Sequence, residues 1–155
     1  MNPNDEAYMD EALALAEEAA RAGEVPVGAV VVHGGKVIGR GYNRPVSTRD
    51  PSAHAEIQAL RQASEVMGNY RLPGAEIYAT LEPCAMCAGA IMHARVSRVV
   101  FGARDPKTGV CGSTVDLFAV DSLNHHAIVV GGIREAESIL LLRQFFAERR
   151  GRKEL

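Results

Sequence analysis

Four residues in two short stretches carry the side chains best suited to chemistry: His54 and Glu56 in His-Ala-Glu, and Cys84 and Cys87 in Pro-Cys-Ala-Met-Cys. The cysteines stand behind Pro83 and ahead of the apolar run 88–92, where a strand should end and a helix begin. Pro83 suits the first turn of that helix because a missing N–H costs nothing there, and Glu82 has the charge that the helix's positive end prefers. Cys84 and Cys87 then share one face of the first turn, where unsatisfied N–H groups and the dipole favour the thiolates a metal binds. A pair that merely packs, or a redox Cys-x-x-Cys, has the same spacing, and the segment by itself does not choose among them.

His54 and Glu56 change that balance. A lone histidine is more often a satisfied polar group than a ligand. Positions i and i+2 diverge by roughly 200° around a helix, so this pair serves one site only at the helix's end. The pattern predicts both in the first turn of a helix over 53–67. In parallel α/β sheets the helix N-termini gather at the strands' carboxyl ends, so two first turns can present His, Cys and Cys to one point. Zinc accepts that set, and three protein ligands leave a fourth tetrahedral position for water, unlike a closed structural site. Zinc lowers the pKa of such a water to about 7, and Glu56, not needed as a ligand, is placed to take its proton. Cys111 lies outside this pattern and reads as a buried or loop thiol.

The elements that must position these residues follow from pattern and punctuation. A helix opens after Asn4 as cap, with Asp5 and Glu6 in its first turn and Tyr8, Ala12, Leu15, Ala16 and Ala19 at helical spacing, until Gly23 stops it. Residues 27–33 and 36–42 are strands joined by Gly34-Gly35, which reads as a tight hairpin. Residues 43–52 are loop by composition, with two prolines. The second helix closes near Gly68-Asn69, residues 75–81 form a buried strand, and the cysteine helix runs to about Ala94. Residues 96–101 are another strand, and strand, helix, strand with short connections predicts parallel pairing and a right-handed crossover. Residues 102–123 are largely loop with a helical turn near 115–119, residues 127–130 form a last strand, and residues 135–150 a closing amphipathic helix with Ile139, Leu142, Phe145 and Phe146 inward. The sum is one mixed α/β domain over 1–155, with helices on both faces of one sheet of about five strands.

Composition sets the bounds. At 155 residues the chain is long enough for a real core, and its 47% hydrophobic content contains no run near the roughly 18 residues of a membrane span. No export signal is visible, and three cysteines do not make a disulfide framework, so a cytoplasmic protein is expected. Net charge is −2, but unevenly placed. The first 24 residues hold seven acids against Arg21 alone, whereas residues 143–155 hold five Lys/Arg against Glu148 and Glu154. A basic tail can contact phosphate, and equally can be a solvated helix end with cations at its favourable pole.

His54-Ala55-Glu56 with Pro83-Cys84-Ala85-Met86-Cys87 matches the H-x-E…P-C-x-x-C signature of zinc-dependent base deaminases. Over nearly its full length the chain also resembles the bacterial tRNA-specific adenosine deaminases. That resemblance rests on Pro26-Val27-Gly28-Ala29, Gly41-Tyr42-Asn43, residues 80–87, Gly102-Ala103-Arg104-Asp105 with Lys107-Thr108-Gly109, Asn124-His125, and Phe145-Phe146 with Arg149-Arg150. The zinc motif is specific to the superfamily; the other stretches choose the family.

The resemblance implies a three-layer α/β/α cytidine-deaminase-like fold and a homodimer with one zinc per subunit. It implies hydrolysis of adenosine to inosine at the wobble position of a tRNA anticodon, an arginine tRNA being suggested. His54, Cys84 and Cys87 would hold the metal, and Glu56 would carry protons to the ring nitrogen and then to departing ammonia. Asn43 would hydrogen-bond the target nucleotide, Asp105 and Asn124 would meet the anticodon loop, and Arg149, Arg150, Arg152 and Lys153 would contact phosphates. Anticodon-loop bases are already partly unstacked, so extruding one costs less than from a duplex. The alternatives are a deaminase of a free base or nucleotide such as guanine or cytosine, and a non-catalytic zinc-stabilised domain, which three converging ligands beside a proton carrier argue against.

Overall fold

The computed structural model describes residues 1–123 and 125–154. Five strands form one mixed sheet in the order β2-β1-β3-β4-β5, with β1 Gly28–His33, β2 Lys36–Tyr42, β3 Glu76–Leu81, β4 Arg98–Ala103 and β5 Ile128–Val130. β1 pairs antiparallel with β2 and β3, while β3, β4 and β5 run parallel. The hairpin between β1 and β2 turns at Gly34 and Gly35 with φ of 58° and 76°, the positive values that the glycine pair predicts.

Period-two alternation sends each central strand to both faces of the sheet. Ala29, Val31, Ile77, Ala79, Val99 and Phe101 join one buried cluster with α3 (Ala55–Met67) and α4 (Ala85–Ala94). Val30, Val32, Tyr78 and Val100 join the opposite cluster under α1 (Asp5–Arg21), with α5 (Glu135–Glu154) beside it. Helices therefore cover both faces, as expected. Among the described residues no helix is long and apolar enough to cross a membrane.

Several boundaries and faces differ from expectation. The loop 43–52 contains a short helix, α2 (Pro45–Thr48), and the turn expected near 115–119 is a single 3-10 turn over Leu117–Ala119. The inward face of α1 is Asp5, Met9, Ala12, Leu13, Ala16 and Ala19, so Tyr8 and Leu15 sit at its margin. Asp5 is fully buried because Arg98 of β4 meets it with two bonds, of 2.7 and 2.6 Å, and Tyr78 donates to it at 2.7 Å. In α5, Phe145 is buried but Phe146 is 44% exposed, and two turns earlier the helix buries Ser138, whose hydroxyl donates to the Thr80 carbonyl.

Two elements approach closely enough to fix the site. A β-carbon on Gly41 would lie 2.3 Å from the Ala55 carbonyl oxygen, so only glycine lets the start of α3 rest on the end of β2. That contact sets Asn43, just past β2, against His54 and Glu56.

Candidate metal centre and active site

His54 is the N-cap of α3 and Cys84 the N-cap of α4, each with extended backbone, one residue earlier than the first-turn placement expected. Cys87 lies within the first turn of α4. α3 follows the edge strand β2 and α4 the central strand β3, which run in the same direction, so the helix N-termini meet at one end of the sheet: His54 Nδ1 stands 3.6 Å from Cys84 Sγ and 3.5 Å from Cys87 Sγ. All three donor atoms lie within 4.8 Å of one another. A zinc ion with Zn–N of about 2.0 Å and Zn–S of about 2.3 Å in tetrahedral geometry requires N···S separations of about 3.5 Å. The donor set and its spacing therefore fit zinc.

The three donor groups perturb one another's protonation. Hydrogen bonds from Cys87 and His54 hold the Cys84 thiol down at about 3 despite burial. The hydrogen bond to Cys84, together with burial, pushes the Cys87 thiol up in turn. The bond to Cys84 raises His54, with burial opposing. Glu56, in the first turn of α3, is only 4% exposed, and burial raises its pKa while the neighbouring His54 lowers it. A carboxyl so placed exchanges a proton more readily near neutrality than an exposed glutamate does.

Beside the cluster is a cavity of about 120 Å³ whose wall includes Asn43, His54, Glu56, Cys84, Asp105 and Thr108. Asn43 Oδ1 accepts the backbone N–H of Ala55 at 2.8 Å, so its NH2 is the end left for a ligand in the cavity. Asp105 is turned inward on its own loop: its carboxylate accepts the N–H groups of Lys107 and Thr108 at 3.1 and 3.2 Å and the Thr108 hydroxyl at 2.7 Å.

Not every expected site residue joins this group. Arg149 Nη2 donates to the Gly23 carbonyl at 2.8 Å, and its guanidinium stacks over Phe145 at 4.8 Å, so it ties α5 to the end of α1. Arg150 is exposed. Asn124 lies outside the described residues, as do the side chains of Arg152 and Lys153. His125 is bonded to the Val96 carbonyl at 2.5 Å, away from the cavity wall. Cys111 is buried, and burial pushes its thiol up to about 12.

Two buried carboxylates near the site escaped sequence reasoning. Glu24, 2% exposed, accepts the N–H groups of Val46 and Ser47 at 3.2 and 2.7 Å, and so holds α2 next to Asn43. Glu82, 3% exposed, does not serve the positive end of α4 as expected; it faces the 105–113 loop. Both partnerships are long-range, and the only local hint is an acidic residue beside a strand that must be buried.

The MafB19-like deaminase family model matches residues 3–150. The tRNA-specific adenosine deaminase of Agrobacterium fabrum is 48% identical over 143 residues, which cover 92% of this chain and 94% of that protein. A structure from work on A-to-I editing by tRNA:A34 deaminases at the wobble position superposes with a TM-score of 0.85 at 46% identity, covering 88% of this chain and 99% of that one. The guanine deaminase of Bacillus subtilis is more distant, at 39% identity and a TM-score of 0.65, over 76% of this chain and 74% of that one. The chain belongs to the deaminase family, and within it to the tRNA-specific adenosine deaminases.

Proposed function

We propose that this protein hydrolyses adenosine to inosine and ammonia at the wobble position of a tRNA anticodon, with one catalytic domain over 1–155. The observation that carries the reading is a buried Glu56 beside a His54–Cys84–Cys87 group spaced for one zinc ion. The family is typically zinc-dependent. His54, Cys84 and Cys87 would hold a zinc ion, which would supply a Lewis acid able to acidify a water.

Glu56 does the proton work: it takes a proton from the attacking water, delivers it to the adenine ring nitrogen next to C6, and then assists the departure of ammonia. The C–O bond to water forms first, with the ring nitrogen taking a proton, and the C–N bond to the amine breaks afterwards as that amine takes the second, so adenosine and water become inosine and ammonia. Asn43, its oxygen committed to Ala55, offers NH2 donors to an acceptor on the target nucleotide. Asp105, which lines the same cavity as Thr108, is assigned with Asn124 to the anticodon loop, and Arg150 to phosphate. We read the protein as a cytoplasmic homodimer with an arginine tRNA as substrate.

A second reading, deamination of free guanine, is favoured by the likeness to the Bacillus subtilis guanine deaminase. The experiment is to incubate the zinc-loaded protein with an anticodon stem-loop carrying adenosine at the wobble position, and separately with free guanine, adenosine, cytosine and cytidine. Inosine in the stem-loop supports the first reading. Product from free guanine with none from the stem-loop supports the second.

A further inference from the structure

Glu82 is a nearly fully buried carboxylate, at 3% exposed, and among the described residues it has no ion pair. It is satisfied entirely by one loop. Oε1 accepts the N–H of Asp105 at 3.1 Å and the hydroxyl of Ser113, and Oε2 accepts the N–H groups of Cys111 and Ser113 at 2.9 and 3.1 Å. The loop is shaped around the carboxylate: a β-carbon on Gly109 would sit 2.4 Å from Glu82 Cδ and 2.7 Å from the Asp105 carbonyl oxygen. Residues 82–84 are bound to the same loop through their backbone, with Val110 N–H on the Pro83 carbonyl at 3.0 Å and Cys84 bridged to Gly109.

These contacts join two parts of the site. On one side Glu82 leads through Pro83 into Cys84, a member of the metal-spaced group. On the other it fixes the backbone of Asp105 and, through Asp105's own bonds to Lys107 and Thr108, the part of the cavity wall formed by Asp105 and Thr108. We infer that Glu82 is a positioning residue for the RNA substrate, holding the 105–113 loop at the registration with the metal-binding turn that the target nucleotide needs. The inference rests on the proposed RNA-deaminase reading for its substrate. Its geometric half stands without it.

A hydrogen bond to a charged acceptor is stronger than a neutral one, and a buried donor left without its partner is costly, so the loop responds measurably when the carboxylate is altered. Glu82→Gln keeps the volume but turns an NH2 toward donors that previously met an oxygen. The expected result is a KM for the wobble-adenosine stem-loop raised about tenfold with kcat within about twofold, zinc still at one per chain, and amide hydrogen exchange at Asp105, Cys111 and Ser113 accelerated about tenfold or more. A residue with a purely structural role would instead lower zinc content, thermal stability and kcat together. Either that pattern, or unchanged KM and unchanged exchange, overturns the inference.

Should Glu82→Gln not accumulate as folded protein, Ser113→Ala carries the test, since it removes one donor and leaves the carboxylate. Accelerated exchange at Asp105 and Cys111 with a KM rise of about threefold supports the inference, and wild-type values for both overturn it. Exchange is read without substrate. A wild-type protein inactive on the stem-loop would therefore sink the RNA reading, while the exchange result would still decide whether Glu82 holds the loop.

Discussion

The side-chain oxygen of Asn43 accepts the backbone N–H of Ala55 at 2.8 Å, so the residue assigned to the target base also closes the helix that carries Glu56. The two jobs use opposite ends of one amide, and substitution can separate them. Asn43→Asp keeps the acceptor and removes the NH2. It should fold with wild-type stability, measured by thermal unfolding, yet lose about 100-fold or more in kcat/KM. Asn43→Ala should lose that activity and about 1 kcal/mol of stability as well, the usual cost of a missing cap.

Glu56 stands beside the ligand group without belonging to it. Glu56→Gln should keep one zinc per chain by metal analysis and lose about 10³-fold in turnover, within the range typical of a removed general acid–base. Removing zinc with a chelator should abolish turnover, and adding zinc back should restore it to the wild type but not to the variant.

The buried pair of Asp5 and Arg98 predicts a pH dependence of stability. The bonds from Arg98, with those from Asn2 and Tyr78, hold the Asp5 carboxyl well below its ordinary value despite burial. A depressed native pKa contributes stability above the unfolded value of about 3.9, and that contribution is lost as pH falls toward the native one. Asp5→Asn should cost about 2 kcal/mol at pH 7, because buried Arg98 loses its two-bond partner and keeps only the partly exposed Glu76, at 3.3 Å, as a counterion. The gap between wild type and variant in denaturant unfolding should shrink steadily below about pH 4.

Arg149 and Arg150 are adjacent in sequence and differ in what they touch. Arg149 is spent on the Gly23 carbonyl and the Phe145 ring, while Arg150 is exposed. Arg150→Ala should weaken stem-loop binding and reduce the slope of log K against log salt by about 0.7, the share of one phosphate contact on a single strand. Arg149→Ala should leave that slope unchanged and lower thermal stability by a few degrees, because the end of α5 loses its tie to α1.

What was legible in the sequence was local. Gly34-Gly35 specifies its hairpin from neighbouring residues alone, and β2 falls at 36–42 as expected. The ligand group was legible because His54 and Cys84-x-x-Cys87 each stand at a helix start, and sheet topology gathers helix starts at one edge. What escaped depends on partners far along the chain. Asp5 stands in the first turn of α1 as expected, but its burial depends on Arg98, 93 residues later. Glu82 looked like a charge for the α4 dipole, but four donors from residues 105–113 claim it. Phe146 looked inward by periodicity, but the face of α5 that meets the sheet is set by Ser138 and Phe145.

The most direct test of the account is a competition in one vessel: zinc-loaded protein with equal concentrations of the wobble-adenosine stem-loop and free guanine, both products followed with time. The account predicts inosine in the stem-loop at a kcat/KM at least about 10³-fold above that for guanine, a ratio that a site built to bond its substrate's polar groups can reach. Xanthine formed from guanine at an equal or greater rate would contradict it.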